Sequence, residues 1–184
     1  MKPIRTKRLI LRNWQESDRD LFYRINSADS VMEFFPFRRD RPQSDAKMDE
    51  LRDTIERNGF GFAAIEIIDS GACAGFAGIT PTHHIPSLPE GTIEIGWRLA
   101  PEYWGHGIVT EAAKAWLAFG FDRLGLDEIV SFAVEGNHRS TAVMERIGMR
   151  RDPTSDFDHP GVPESHPHLK RHVFYRLKGS DWQP

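Results

Sequence analysis

Apolar residues recur along this chain in two periods, one near two and one near three and a half. "RLILRNW" (8–14) is strand-like, and Leu21, Phe22 and Ile25 then share one side of a helix that Ser17 can cap. A short apolar turn ends at Pro36. Ser44 is the expected start of a highly charged helix whose thin apolar stripe is Met48, Leu51 and Ile55, stopped by Asn58-Gly59. "GFAAIEIID" (61–69) and "ACAGFAGIT" (72–80) read as strands joined at Ser70-Gly71, a hairpin signal.

A loop containing Pro81, Pro86 and Pro89 leads to "TIEIGWRLA" (92–100), the fourth strand. After Gly107 the apolar positions Val109, Ala112, Ala113, Trp116, Leu117, Gly120, Phe121 and Leu124 make a wide helical face, with Thr110, Glu111, Lys114 and Arg123 opposite. "DEIVSFAV" (127–134) is the fifth strand. Asn137 then opens a helix over 138–147 that ends at Gly148, and "RHVFYRL" (171–177) closes the pattern as a last strand. Strands and helices do not strictly alternate, which predicts an α/β (α+β) domain: a mixed sheet with helices on both faces.

Composition narrows the options. One domain over residues 1–184 is the simplest reading of the length. A net charge of −3 supplies no field that draws the chain to nucleic acid or anionic lipid, and "RRDRP" (38–42) reads as a solvated loop. No run is apolar for long enough to span a membrane, and the N-terminus is too short in apolar residues for a signal peptide. The single cysteine, Cys73, permits no internal disulfide and reads as a small buried residue, so a soluble cytoplasmic protein is expected.

The chemistry begins with "EYWGHGIVTEAAKAW" (102–116), where Gly105 and Gly107 precede a helix. Free N–H groups and a partial positive charge at a helix start suit phosphate, and glycine lets a ligand approach the backbone. A plain tight turn is the competing reading. Two familiar phosphate loops do not fit. No lysine follows, as an NTP-binding loop requires, and Thr110 stands where a dinucleotide fingerprint needs its third glycine.

"EIGWRLAPEYWGHGIVTEA" followed by "NHRSTAVMERIGM" resembles the GNAT superfamily of acyl-CoA-dependent N-acetyltransferases, in its RimJ/RimL-like branch of ribosomal-protein N-terminal acetyltransferases. "TKRLILRNW" and "HVFYRLKGSDW" are similar to that branch's first and last strands. The resemblance implies a GNAT fold with a sheet of about six to seven strands whose fourth and fifth members splay apart. It also implies acetyl-CoA as cofactor, an amine as acceptor and a homodimer as an assembly to expect.

The superfamily's pyrophosphate loop, Gln/Arg-x-x-Gly-x-Gly/Ala, falls on Trp104, Gly105, His106, Gly107, Ile108 and Val109, and Thr110 adds a hydroxyl beside it. Trp104 departs from Gln/Arg, and Val109 departs from the final small residue. The resemblance further implies that a backbone N–H of Trp97, Arg98 or Leu99 meets the thioester carbonyl, and that Asn137 contacts the pantetheine arm. Met144 stands where many relatives place the tyrosine that protonates the departing thiolate, so that role is either vacant or, as the RimL-like resemblance implies, filled by Ser140. Asn137 and Ser140 also read as ordinary helix-cap residues.

Glu94 matches the position of a general-base glutamate in several members, the alternatives being a salt-bridged strand carboxylate or a water relay. Alternation along the strand points its side chain away from Ile93 and Ile95, towards the side of Gly96 and Arg98. No metal is expected. His159, His166, His168 and His172 match no familiar zinc spacing, and the resemblance sets their loop beside the acceptor pocket, as it does His83-His84. Two functions follow: acetyl transfer to a primary amine, or a non-catalytic acyl-CoA-binding module, which Met144 and Trp104 keep open.

Overall fold

The computed structural model describes residues 1–82, 85 and 88–183. Six strands of four or more residues carry the sheet: β2 (Leu9–Arg12), β3 (Phe62–Ile67), β4 (Cys73–Pro81), β5 (Ile93–Leu99), β6 (Glu128–Val134) and β9 (Arg171–Lys178). Three two-residue strands join them, namely β1 (Ile4–Arg5), β7 (Arg150–Arg151) and β8 (Phe157–Asp158). The order is β1-β2-β3-β4-β5-β6-β9-β7, with β8 also on β9. Every pairing is antiparallel except β5 with β6. A parallel pair needs a long crossover, and here it contains α3 (Ile108–Ala118).

The expected splay is present. β5 and β6 meet at one registered pair, Glu94 with Val130, and Ser131 Oγ donates to the Ile95 carbonyl at 2.9 Å. Beyond that point the strands part. By contrast, β4 and β5 stay in register from Pro81–Ile93 to Gly75–Leu99.

Helices cover both faces. α1 (Arg19–Ser27) and α2 (Arg41–Asn58) lie against β4 and β3, and Phe22 of α1 packs on Phe76 of β4 at 6.2 Å between ring centroids. α3 lies on the opposite face, where it runs into a π-helical turn over Phe119–Arg123. A Cβ on Gly120 of that turn would sit 2.6 Å from Ile129 Cδ1, so a larger residue there would require the Ile129 side chain to move. α4 (His138–Arg146) follows β6, and Gly148 leaves it with φ 87° as the chain reverses. No helix among the described residues is long and apolar enough to cross a membrane.

Two helix starts differ from the sequence reading. Ser17 does not cap α1; it lies in a 3₁₀ turn that leads into the helix, and the Asp18 carboxylate closes that turn by accepting from Gln15 N–H at 2.9 Å. A carboxylate is the stronger acceptor, and Arg12 holds it in place at 2.7 and 3.0 Å. Ser44 is inside α2, which begins at Arg41. Asp40 accepts from Gln43 N–H at 2.9 Å, and the Gln43 side chain accepts from Asp40 N–H at 3.2 Å. "RRDRP" is therefore not a loop throughout: its last two residues are helical.

One pairing shapes the floor of the later site. Gly78 and Gly96 face each other across β4 and β5, and the Phe62 ring lies over Gly96. A Cβ on Gly78 would fall 1.9 Å from the Gly61 carbonyl oxygen, a backbone atom that cannot step aside. Gly78→Ala is expected to cost at least about 3 kcal/mol by strain alone, read as a lowered denaturation midpoint.

Candidate active site

Where β5 and β6 diverge, a cleft of ≈ 960 Å³ opens between them. It runs from Glu94, past Gly96 to Leu99, to the start of α3 and the first turn of α4. Of the residues singled out in the sequence, Glu94, Trp97, Arg98, Leu99, Gly105, Gly107, Ile108, Val109, Thr110, Asn137 and Ser140 all line it. His106 does not; its carbonyl accepts from Arg8 Nη1 at 2.9 Å instead.

The glycine loop has the conformation its sequence suggested. Gly105 and Gly107 have φ of 77° and 72°, left-handed values that residues with a Cβ rarely adopt. Gly107 is the N-cap of α3. The first amide of the helix to find a protein partner is that of Glu111, which donates to the Gly107 carbonyl at 3.1 Å. Among the described residues, none of the amides from Gly105 to Thr110 donates to another protein group. Such a row of free donors at a dipolar helix end is an anion cradle.

Side chains lock that cradle in place. Glu111 in the first turn of α3 accepts from Thr6 Oγ1 at 2.6 Å, Arg8 N–H at 2.9 Å and Arg8 Nε at 2.6 Å. Trp104 Nε1 donates to the Leu99 carbonyl at 3.0 Å and ties the loop to the end of β5. Its indole stacks under the Arg139 guanidinium, 4.4 Å from the ring centroid. Trp104 thus stabilises the loop through a contact that a Gln or Arg there would not make. The sequence reading missed Arg8 and Arg139, because their partners lie far away along the chain.

Asn137 caps α4, its Oδ1 accepting from Ser140 N–H at 3.2 Å. Ser140 and Met144, one turn on, both line the cleft, Met144 as a buried part of its wall. Cys73 is on β4 outside the cleft, and burial pushes its thiol up to about 12, so it is no nucleophile at neutral pH.

Glu94 is the acid of the cleft. It sits between Thr80 on β4 and Val130 on β6, and no described residue offers it an ion pair or hydrogen bond. Burial alone raises its carboxyl to about 7. The same sheet face continues through Phe132 on β6 to His172 on β9, by register.

The histidine-rich loop divides. His159 and His172 line the cleft with ring centroids 4.9 Å apart, whereas His166 and His168 line a separate smaller cavity with Asp29 and Glu33. His172 Nδ1 lies 2.9 Å from the Lys170 carbonyl, which fixes the proton there and leaves Nε2 as an acceptor. His159 Nδ1 accepts from Gly161 N–H at 3.0 Å. Burial pushes both imidazoles below their usual pKa, so both are neutral at pH 7. His83 and His84 lie outside the described residues.

A mixed sheet opened between two parallel strands, with an anion cradle at the crossover helix and a lone acid on the floor, defines a coenzyme A-dependent acyltransferase. The acetyltransferase (GNAT) domain model matches residues 8–150, and the chain belongs to the GNAT family of acetyltransferases, enzymes that draw their acetyl group from acetyl-CoA.

YnaD of Bacillus subtilis, an N-acetyltransferase by name, is 32% identical over 155 residues, covering 81% of this chain and 83% of YnaD. YdaF of the same organism, named as a proposed ribosomal N-acetyltransferase, is 29% identical over 182 residues, 97% of this chain and 87% of YdaF. The crystal structure of an acetyltransferase from Agrobacterium tumefaciens superposes with a TM-score of 0.72 at 30% identity, covering 96% of this chain and 94% of that one.

Proposed function

We propose that the protein transfers the acetyl group of acetyl-CoA directly to a primary amine, and that it works in the cytoplasm. The observation that carries this reading is the row of free amides from Gly105 to Thr110, held open at the end of the same cleft that contains Glu94. Those amides would hold the diphosphate, with Arg8 and Arg139 close by but each already paired with a carboxylate, Glu111 at 2.6 Å and Glu33 at 2.7 Å, so the helix end itself supplies the main attraction. Asn137 and the parted edges of β5 and β6 would flank the pantetheine arm.

An amine with a pKa near 10 is mostly protonated at neutral pH, so it must lose a proton before it can attack. Glu94 accepts that proton. Its carboxyl, at about 7, is close to half ionised at neutral pH, which suits a general base. The free amine then attacks the thioester carbon, the C–S bond breaks with its electron pair going to sulfur, and the acylated nitrogen sheds its second proton to solvent. A backbone N–H on the stretch from Trp97 to Leu99 meets the carbonyl oxygen, where negative charge grows. Ser140 gives its proton to the departing thiolate and recovers one from solvent. Ser140→Ala is expected to lower kcat about tenfold with little change in KM for acetyl-CoA, as measured by steady-state kinetics.

The acceptor amine is the α-amine of a protein N-terminus, as the name of YdaF suggests, or a small-molecule amine. Incubation with acetyl-CoA and a panel of both kinds tests the proposal through release of free thiol. Amine-dependent release is the expected result. Tight CoA binding without turnover on any amine would favour a non-catalytic module, the role Met144 suggests by occupying the place of the family's tyrosine.

A further inference from the structure

The protein has two arginines on the α1/α2 side of the sheet with very different company. Arg12 on β2 is buried but fully compensated: Asp18 contacts it at 2.7 Å and Glu66 at 2.5 Å. Among the described residues Arg98 on β5 has no such partner. Its Nη1 donates to the Asn26 side-chain oxygen at 2.6 Å, and its Nε is buried without any partner. The guanidinium lies 4.3 Å from the Phe35 ring centroid and 5.4 Å from that of Phe76. Among the described residues, no carboxylate lies within ion-pair distance of it.

Asn26 intensifies the imbalance. It is fully buried, and the same amide oxygen also takes Arg39 Nη1 at 3.3 Å. Two guanidinium groups therefore share one neutral acceptor. Burial, and then the charge of Arg39, holds Arg98 down at about 9, the reverse of what a structural ion pair would do. A buried charge without a counter-charge is costly, and such a cost is tolerated where a ligand supplies the missing charge.

Arg98 faces the substrate cleft, and so does Glu94. They share one face of β5 but are four residues apart, about 13 Å along an extended strand, so they do not neutralise each other. Between them lies Gly96, which has no side chain to divide the space. Among the described residues, one end of this trough thus carries a carboxylate without a counter-charge and the other a guanidinium without one.

We infer that the acceptor amine also carries a carboxylate, which docks on Arg98 with Arg39 behind it while the amine meets Glu94. The inference rests on the transferase reading above and adds the chemical class of its acceptor. The carboxylate could come from a free amino acid or from an acidic side chain near a peptide's N-terminus. A purely structural Arg98, gluing the chain after α1 to the sheet, predicts no preference of either kind.

Matched acceptors test the idea. One arm compares ω-amino acids, from β-alanine to aminooctanoate, with n-alkylamines of equal length. The other compares a tetrapeptide amide bearing aspartate at its second position with its asparagine counterpart. In at least one arm the charged member is expected to have the higher kcat/KM by about tenfold or more, as a charge-assisted pair gives. That ratio is expected to fall towards one in Arg98→Met and to be partly kept in Arg98→Lys. The arm that shows the preference identifies the source of the carboxylate.

Equal rates within both arms, or a preference that survives in Arg98→Met, would overturn the inference and leave acetyl transfer standing. If no amine is turned over, the transferase reading fails, and calorimetry with acetamidohexanoate decides about Arg98 separately. Binding to the wild type but not to Arg98→Met supports the inference; binding to neither overturns it. Melting curves of both variants show whether each is folded.

Discussion

Glu94→Gln is expected to lower kcat by about 10² to 10⁴-fold while leaving KM for acetyl-CoA nearly unchanged. Glutamine keeps the size and polarity of the side chain but cannot take a proton. The loss is confined to the step in which the ammonium becomes an amine, because Glu94 is far from the glycine loop at the other end of the cleft. In the wild type, kcat is expected to rise with pH through about 7 as the carboxyl ionises. In Glu94→Gln that limb disappears, and residual activity follows the free fraction of the amine itself. A pH profile of both proteins with one amine shows the difference.

The same substitution has an opposite effect on stability. The folded carboxyl, at about 7, lies above its ordinary value of 4.5 because burial disfavours its charged form. The folded state therefore holds its proton more tightly than the unfolded chain does. Below about 4.5 both states are protonated and no cost arises. Between there and about 7 the cost of a buried charge grows, and above 7 it is constant. Glu94→Gln is thus expected to raise the melting temperature at pH 8 and to leave it unchanged at pH 4. A loss of activity joined to a gain of stability marks a group held against its own preference, which a salt-bridged strand glutamate would not show.

Gly107→Val is expected to raise KM for acetyl-CoA by about ten- to a hundredfold. At φ 72° the backbone is in a region that costs an L-residue about 1–2 kcal/mol, and a β-branched one more. Space is not the obstacle: the nearest atom to a new Cβ is Arg8 Nη2 at 3.5 Å. The chain relieves the strain by returning to negative φ, which turns the amides of Ile108 and Val109 away from the cradle. Each 1.4 kcal/mol of lost contact is a factor of ten in affinity. KM for the amine is expected to change little, since the proposed acceptor site on β5 lies away from the glycine loop. Initial rates over both substrates separate the two effects.

Much of this site could be read from the chain because its signals are local. Gly105 and Gly107, two residues apart before an amphipathic run, report a backbone requirement that no distant residue can supply. Glu94 was legible for the same reason, since period-two alternation alone sets it opposite Ile95. The caps of α1 and α2 were not. α1 grows out of a 3₁₀ turn that Asp18 closes back onto Gln15, with Arg12 from another element holding its carboxylate, and Asp40 is disguised within a basic cluster. Arg98 was legible as backbone but not as side chain. Its meaning lies in what is missing around it, and an absent carboxylate leaves no mark in the sequence. His159 and His172 come together only because β8 and β9 pair, across a loop whose spacing suggested no shared task.

Acetyl transfer in this protein requires that the cradle at the start of α3 hold the cofactor. A titration of isotope-labelled protein with coenzyme A, followed through backbone amide resonances, addresses it most directly. The amides of Gly105, Gly107, Ile108, Val109 and Thr110 are expected to shift most and to saturate together, and desulfo-coenzyme A is expected to do the same. Saturable binding that leaves those resonances in place and moves others would contradict the account.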